Sequence, residues 1–388
     1  MGRRMLGRLR CRAAGHVTRL LYGIVSIAAV YQLLALIAAL VHRGARSGAG
    51  PRPAIFTTPG ISILKPVYGR DPGFYPAIRS HALQQYPEFE ILFGVHTLDD
   101  PASVDIQRLI AEFPALPIRL ILSPSKTPNR KVGILADLAG EARYPLLIVN
   151  DSDITVPAGY LQDVTAPLSD AAIGLVTCLY RAEAHDWPSR FEALAVATDF
   201  APSTLVAPWF GVSEFGLGST LAFRRGDLER IGGFRAISDY LADDYQLGRK
   251  LHSLGLRNVI SKVVVSTRLS AGSWGSAWGH QLRWARTIRL SRLGGYAGLP
   301  ITFATLWALV AAGLGLWPAA LGLLAIRLAM ALGCGGFVLG SADAWKYFYL
   351  IPVRDLWGVV VWAVALFGDT VEWRGRRLRL DRKGKIVA

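Results

Sequence analysis

Two aspartates separated by one serine, Asp151 and Asp153, come just after an apolar run, Leu146 to Val149. Aspartate favours turns, so a D-S-D sequence taken alone is better explained by a turn than by a site. Carboxylates at this spacing can also present oxygen atoms to a hard divalent cation such as Mg²⁺ or Mn²⁺, whose coordination is usually completed by phosphate oxygens. The ligand predicted by this second interpretation is a diphosphate.

Charged residues follow two other apolar runs in the same way. Lys65 follows residues 61–64, and Asp99 and Asp100 follow residues 89–95 after a short interval. In open α/β sheets, ligands bind beyond the carboxyl ends of the strands. Acidic and basic groups that meet at one edge of a sheet favour a ligand site over a set of unrelated turns.

The sequence NRK at 129–131 adds a candidate anion site. It places Asn129 and Lys131 at the start of a predicted helix, where backbone N–H groups and a cation favour negative charge. A solvated helix residue is an equally good explanation of Lys131 alone. Beside Asp151, the pair is consistent with diphosphate binding.

The elements that position these residues are predicted from the apolar runs. Strands are expected at 61–64, 89–95, 118–122, 146–149 and 173–180, with helical segments between the first four. Because the runs are continuous rather than alternating, they suit parallel strands covered on both faces. The pattern predicts an α/β domain over residues 56–295.

Membrane segments are predicted on both sides of that domain. Residues 20–41 carry no formal charge and are long enough to span, and residues 299–340 suit two helices joined at 315–319. Arg327, the one charge in the second stretch, is expected to face protein or snorkel.

Residues 347–367 suit either a spanning helix with an internal Arg354–Asp355 ion pair, or an interfacial helix followed by a re-entrant one. The predicted division is 1–55, 56–295 and 296–388.

The charge distribution argues for lipid rather than nucleic acid as a partner. Residues 1–55 contain nine arginines and no acid, and residues 374–388 contain seven basic residues and one acid, which together account for the net charge of +15. A neutral body with basic ends beside apolar segments suits anionic head groups. The three cysteines have no close spacing, which argues against a disulfide framework or a zinc site.

An ordered set of motifs resembles the ceramide glucosyltransferases, inverting glycosyltransferases with a GT-A fold. The segments ISILKPVYGRDP, YPEFEILFGVHTLDDPA, NDSD, STLAFRRGDLERIGGF, LADDYQLG, HQLRWAR and WRGRRLRL occur in the family's order from residue 61 onward. Each piece is weak, but the ordered set is specific. The resemblance implies a GT-A catalytic domain with membrane helices at both ends.

The resemblance also implies roles for individual residues. Asp100 would help to position the uridine, Asp151 and Asp153 would hold the metal and diphosphate, Asp244 would be the general base, and Arg283 of the Arg283–Trp284 pair would contact the diphosphate. The expected nucleotide-sugar site is completed by Trp284, Lys65, Asn129 and Lys131.

Two family positions differ here. The usual Glu before the base is Asp243, which leaves open which aspartate acts, and His280 stands where the family has Gln or Arg three residues before the Arg-Trp pair.

The predicted function is transfer of a sugar, with glucose expected, from a UDP-sugar to a lipid hydroxyl, with ceramide expected, giving a β-glycolipid. The expected cofactor is Mg²⁺ or Mn²⁺. The alternatives are transfer to a hopanoid or other lipid, for example from UDP-N-acetylglucosamine, a processive polysaccharide synthase, and a transporter or scaffold that only binds nucleotide. Because UDP-sugars are cytosolic, the catalytic domain is expected to face the cytoplasm as part of a multi-pass membrane protein. The oligomeric state is not predicted.

Overall fold

The computed structural model describes residues 2–47 and 58–387. The predicted boundary between residues 55 and 56 lies outside the described residues. The strands are β1 Ile61–Val67, β2 Phe89–Val95, β3 Ile118–Leu122, β4 Leu146–Val149, β5 Ile154–Thr155, β6 Ile173–Ala184, β7 Leu221–Arg224, β8 Arg257–Leu269, β9 Thr370–Trp373, β10 Arg376–Leu380 and β11 Ile386–Val387.

The helices alternate with these strands in the middle of the chain and dominate both ends. They are α1 Gly2–Ser47, α2 Phe74–Ala82, α3 Ala102–Glu112, α4 Arg130–Glu141, α5 Tyr160–Thr165, α6 Trp187–Ala195, α7 Ala201–Val206, α8 Arg225–Arg230, α9 Asp243–His252, α10 Trp274–Ser291, α11 Leu293–Gly298, α12 Ala304–Gly313, α13 Trp317–Ala331, α14 Ala342–Lys346 and α15 Ile351–Ala365.

An eight-stranded sheet in the order β3-β2-β1-β4-β7-β6-β8-β5 organises the middle of the chain. The strands β1 to β4 pair in parallel, as their continuous apolar runs predict. Neighbouring residues of one strand enter different cores: Ile63 packs on one face of the sheet and Leu64 on the other. Both faces are therefore covered, and the carboxyl ends of β1, β2 and β4 meet at one edge.

The sheet is mixed rather than wholly parallel. The short strand β7 lies antiparallel to both β4 and β6, while β6 pairs in parallel with β8. Neither β7 nor β8 is among the predicted strands, since β7 has four residues and β8 interrupts its apolar positions with polar ones. The turn that leads into β7 places residues 217–220 beside the D-S-D segment.

Three described helices are long and apolar enough to cross a membrane: Thr18–Gly44, Trp317–Val338 and Phe348–Ala365. A fourth span results if the segments Leu293–Thr302 and Ala304–Gly313, which meet at 47°, are counted as one. Residues 299–340 contain two helices that meet near the predicted junction, α12 and α13, and the chain has a further bend at Phe303. The final stretch is one continuous helix of 18 residues.

The charges of the last two spans are buried and form a network with Asp199, whose side chain is 43% exposed. The Arg327 guanidinium lies 2.6 Å from carboxylate oxygens of both Asp199 and Asp355, and Arg327 is 1% exposed. Arg354 lies 3.6 Å from Asp199. Arg327 therefore faces protein, as expected, whereas the predicted Arg354–Asp355 pair is replaced by pairs between different helices.

Candidate active site

The backbone of Gly218 joins the D-S-D segment to helix α9. The Asp151 amide donates to the Gly218 carbonyl at 3.1 Å, and the Gly218 amide donates to Asp244 Oδ2 at 2.9 Å. A methyl group at Gly218 would lie 2.7 Å from Asp151 Oδ2. Asp151 and Asp244, predicted as metal ligand and base, therefore lie against one glycine that has no room for a side chain.

Lys131 connects the same two segments through its side chain. Its ammonium group lies 2.8 Å from Asp151 Oδ1 and 3.0 Å from Asp243 Oδ2. Asn129 begins the helix, as predicted: its side-chain oxygen accepts from the Val132 amide, and its side-chain amide donates to the Tyr240 carbonyl at 2.8 Å. Asn129 is fully buried and is held by these two hydrogen bonds. It therefore fixes the start of the helix from which Lys131 reaches the carboxylates.

Lys65 supports the D-S-D segment from within the protein. It is fully buried, and its ammonium group donates to the Asp151 carbonyl at 3.1 Å. Loss of hydration lowers the pKa of Lys65 to about 7, while the charges of Asp153 and Asp151 act in the opposite direction. In the described structure Lys65 holds the backbone of the motif, and direct contact with a nucleotide stays a prediction.

Asp100 joins the loops that follow β1 and β2. Its two carboxylate oxygens accept from the Gly69 amide at 2.8 Å and the Ala102 amide at 2.9 Å. The second bond satisfies an amide in the first turn of α3. Asp100 thus shapes the strand-end edge that the sequence predicts, and its role toward uridine stays a prediction.

Asp151 and Asp153 fit a divalent cation whose remaining ligands come from elsewhere. Within the described ranges, no group of three or more His, Cys, Asp or Glu side chains is arranged to hold a metal. The Asp151 side chain is 44% exposed, and Asp153 accepts a hydrogen bond from the Thr267 hydroxyl. Burial and the charge of Asp151 raise the pKa of Asp153. Two neighbouring carboxylates with room for phosphate oxygens suit Mg²⁺ or Mn²⁺.

Asp244 lies at a helix N-terminus, and the pKa of its carboxyl group is raised. It lies in the first turn of α9, as predicted, and its Oδ1 accepts from the Tyr245 amide at 2.7 Å. Burial and the neighbouring charge of Asp243 raise the pKa of Asp244 to about 6, against the opposing effect of Lys131. A carboxylate with a pKa near the working pH can accept a proton efficiently.

Arg283 and Trp284 lie on α10 and face different partners. Among the described residues, the Arg283 guanidinium has no hydrogen bond or close ion pair, and burial lowers its pKa while Glu192 opposes that change most, with smaller effects of Asp151 and Asp244. Trp284 packs on the ring of His280, with 4.6 Å between ring centroids, and His280 Nδ1 lies 2.6 Å from Glu192 Oε1. Arg283 is therefore free for an anionic ligand, whereas Trp284 contacts the surrounding protein.

Two residues that the sequence prediction missed, Asp71 and Arg374, lie beside the D-S-D segment. The Ser152 hydroxyl donates to Asp71 at 2.8 Å, and Arg374 forms two hydrogen bonds to Asp71, at 3.0 and 3.2 Å. Asp71 lies beyond the carboxyl end of β1, at the edge where the sequence predicts a ligand site, whereas Lys65 lies within β1 itself. Arg374 lies in the WRGRRLRL motif, but that motif does not indicate its partner Asp71, which is 303 residues away.

Comparison with known proteins assigns the chain to a family. Residues 20–386 match the family model described as glycosyl transferase family 21. The chain belongs to this family. The matched range contains every candidate site residue and all three helices that qualify as spans except the first two residues of the N-terminal one.

Two similar curated proteins are ceramide glucosyltransferases of Caenorhabditis elegans. Ceramide glucosyltransferase 1 is 31% identical over 53% of this chain and 44% of its own length, and ceramide glucosyltransferase 3 is 28% identical over 61% and 51%. The family 21 chain therefore matches about half the length of these relatives.

A solved mannosyltransferase from Pyrobaculum calidifontis, in complex with GDP-Man and Mn²⁺, shares the fold. It covers 89% of this chain and 99% of its own, with a TM-score of 0.54 at 19% identity. The expected GT-A fold with apolar helices at both ends is confirmed, and the chain is a membrane protein.

Proposed function

We propose that this family 21 chain transfers a sugar from a UDP-sugar to a hydroxyl group of a membrane lipid, with inversion at the sugar carbon. The observation that supports this best is Asp244, a carboxylate with a raised pKa that shares Gly218 with Asp151 of the D-S-D segment. A proton acceptor next to a diphosphate site is the arrangement that such a transfer requires.

In the proposed reaction, Asp244 accepts the proton of the lipid hydroxyl while the oxygen of that hydroxyl forms a bond to the sugar carbon. The bond from that carbon to the diphosphate oxygen breaks at the same time, and the electron pair leaves with UDP. Asp151 and Asp153 would hold a divalent cation, which stabilises charge on the diphosphate when bound. Lys131 and Arg283 add positive charge near the same carboxylates.

Glucose and ceramide are the sugar and lipid we propose. The ceramide glucosyltransferases among the relatives support both choices. A cavity of about 290 Å³ supports a lipid acceptor, because it lies between α1 and the segment that leads to Gly218. Its lining is mostly apolar and includes Ala38, Leu205, Trp209 and Phe215.

We further propose that the sheet domain, over residues 56–295, faces the cytoplasm, where UDP-sugars are available. The basic ends of the chain, beside the outer spans, support an arrangement against anionic head groups. Protease added to intact cells should leave the sheet domain uncleaved. Cleavage of the sheet domain without cell lysis would refute this orientation.

The proposal is tested with detergent-purified protein and labelled UDP-glucose, UDP-N-acetylglucosamine and UDP-galactose. Each donor is offered with ceramide, with a hopanoid extract and with a total lipid extract, in Mn²⁺, in Mg²⁺ and in EDTA. We expect labelled lipid with UDP-glucose and ceramide, and none in EDTA. If a hopanoid is labelled instead of ceramide, the proposed acceptor is wrong but the proposed reaction is supported. If no lipid is labelled in any combination, the proposed function is refuted.

Gly218→Ala tests the close packing of the site. The added methyl group would displace the Asp151 carboxylate, which is the flexible end of a side chain, so the fold should survive while the metal site shifts. We expect Mn²⁺-dependent UDP binding, measured by calorimetry, to weaken roughly tenfold, the loss of one charge-assisted contact. Gly226→Ala is the matched control, because nothing lies within 4 Å of its added methyl group. Equal affinity of both variants would contradict the prediction.

A further inference from the structure

The C-terminal strands β9, β10 and β11 form a small separate sheet held against both helices of the site. At one side, Arg286 of α10 donates to the Thr370 carbonyl at 2.6 Å, and Arg289 donates to the Gly368 carbonyl at 2.5 Å. At the other side, the Leu241 amide, just before α9, donates to the Gly384 carbonyl at 3.3 Å. The position of this sheet is therefore set by α10 and by the segment that carries Asp243 and Asp244.

The hairpin of β9 and β10 places Arg374 in a conformation that arginine rarely adopts. Trp373 pairs with Arg376, so Arg374 and Gly375 form a two-residue loop, and their φ angles are 50° and 72°. Arg374 has the only positive φ among the described residues other than glycine. Loops with two positive φ angles favour Asn-Gly. The backbone gives no reason for arginine here, so its side chain must supply one.

That side chain reaches the D-S-D segment through Asp71. Both terminal guanidinium nitrogens bind the Asp71 carboxylate, which also accepts from the Ser152 hydroxyl. The charges of Asp153 and Asp151 add to that of Asp71 in raising the pKa of Arg374, although burial opposes this. The Arg374 side chain is still 41% exposed, which leaves part of it open to a ligand.

Arg283 approaches the same place from α10. Burial lowers the pKa of Arg283; the charge of the buried Glu192 opposes this most, and the positive charge of Arg374 adds to the lowering, so the two guanidinium groups repel each other. Within the described residues, Arg283 forms no ion pair closer than 4 Å. Two like charges beside Asp151 are stabilised by an anion with several oxygens placed between them, which is what a diphosphate provides.

We propose that Arg374 is a donor-binding residue, whose guanidinium group contacts the diphosphate of the UDP-sugar opposite Arg283 while Asp71 holds it at the tip of the hairpin. This inference rests on the proposed function, because it assigns a further contact in the same donor site. Asp71 is a positioning residue in this arrangement.

Arg374→Asn separates a binding role from a structural one. Asn-Gly suits the loop better than Arg-Gly, which offsets the loss of the partly exposed Arg374–Asp71 pair, so the thermal midpoint of the ligand-free protein should change little. Calorimetric titration with Mn²⁺ present should show UDP binding weakened roughly tenfold to a hundredfold, as expected for a lost charge-assisted contact. Uridine, which has no phosphate, should bind as it does to the wild type.

Arg379→Gln is the matched control, because Arg379 forms an exposed pair with Asp369 at 3.0 Å on the same hairpin. It should leave UDP affinity unchanged. The inference is overturned if Arg374→Asn binds UDP as tightly as the wild type does, or if it loses UDP and uridine affinity equally with a lower thermal midpoint. If the wild type itself binds no UDP, the proposed donor is wrong, and the assignment of Arg374 falls with it.

Discussion

Asp244→Asn should lower the turnover number of sugar transfer by roughly a thousandfold, within the range that a positioned general base contributes. Asparagine keeps the shape of the side chain but cannot accept the proton of the lipid hydroxyl. The bond from the Gly218 amide to Asp244 Oδ2 or that from the Tyr245 amide to Oδ1 would be lost, since asparagine has one acceptor oxygen. Turnover is measured with labelled donor, and UDP affinity by calorimetry.

Affinity for UDP should change little in this variant, because Asp151, Asp153 and Lys131 are intact. Asp243→Asn is the control for which aspartate acts: it removes a partner of Lys131 and should cost turnover much less. If Asp244→Asn keeps full turnover, the assignment of the base is wrong. Retained function would also favour a scaffold or transporter that only binds nucleotide.

The same carboxylate should set the acid limb of the pH profile. The pKa of Asp244 is raised to about 6 by burial and Asp243, with Asp151 adding to the increase and Lys131 opposing it. The unprotonated form is the active one, so kcat/KM should be constant above this pKa and fall about tenfold per pH unit below it. A profile that is flat from pH 5 to pH 7 would contradict this, as would an acid limb unchanged in Asp244→Asn.

Much of the site is predictable from sequence, because polar residues that follow apolar strands form a local pattern. Apolar runs located β1, β2 and β4 within a few residues, and the carboxyl ends of parallel strands necessarily meet at one edge. Asp151 follows β4 as this pattern predicts, whereas Lys65 lies within β1, which is three residues longer than predicted, and the structure joins the two residues by a hydrogen bond. The Lys131–Asp151 ion pair follows from the same edge and a helix start.

Contacts between distant segments were not predictable from one sequence. Arg374 meets Asp71 only because the C-terminal sheet packs on α10 and on the segment that precedes α9, and nothing in the sequence around Arg374 indicates that packing. Gly218 is one of many glycines, and its close contact with Asp151 depends on the antiparallel pairing of β7 with β4. Local patterns place residues on elements, whereas the packing of elements decides which of those residues meet.

The ion pairs of the membrane helices were also not predictable from residues that are neighbours in the sequence. Adjacency in sequence suggested an Arg354–Asp355 pair, but successive residues of a helix point in directions about 100° apart. The two side chains therefore reach different partners: Asp355 pairs with Arg327, and Arg354 with Asp199. The resulting network has two cations and two anions, so its net charge is zero.

Arg327→Met should destabilise the protein by about 3–5 kcal/mol, the usual cost of leaving buried charges without their partner. Arg327 donates to Asp355 through two nitrogens, at 3.0 and 2.6 Å, and to the Thr198 carbonyl at 2.8 Å. Methionine has similar length but no charge, so among the described residues the Thr305 hydroxyl would be the one side-chain hydrogen-bond donor left to the buried Asp355 carboxylate. The free energy of unfolding is measured by denaturant titration in detergent.

The double variant Arg327→Met with Asp355→Leu tests whether charge imbalance causes that loss. It removes one cation and one anion, and it leaves Arg354 with Asp199 as a neutral pair. Replacing a whole buried pair with apolar residues is often neutral or stabilising, so the double variant should recover most of the lost free energy. If it is as unstable as Arg327→Met alone, the loss comes from packing, and the network does not owe its stability to charge balance.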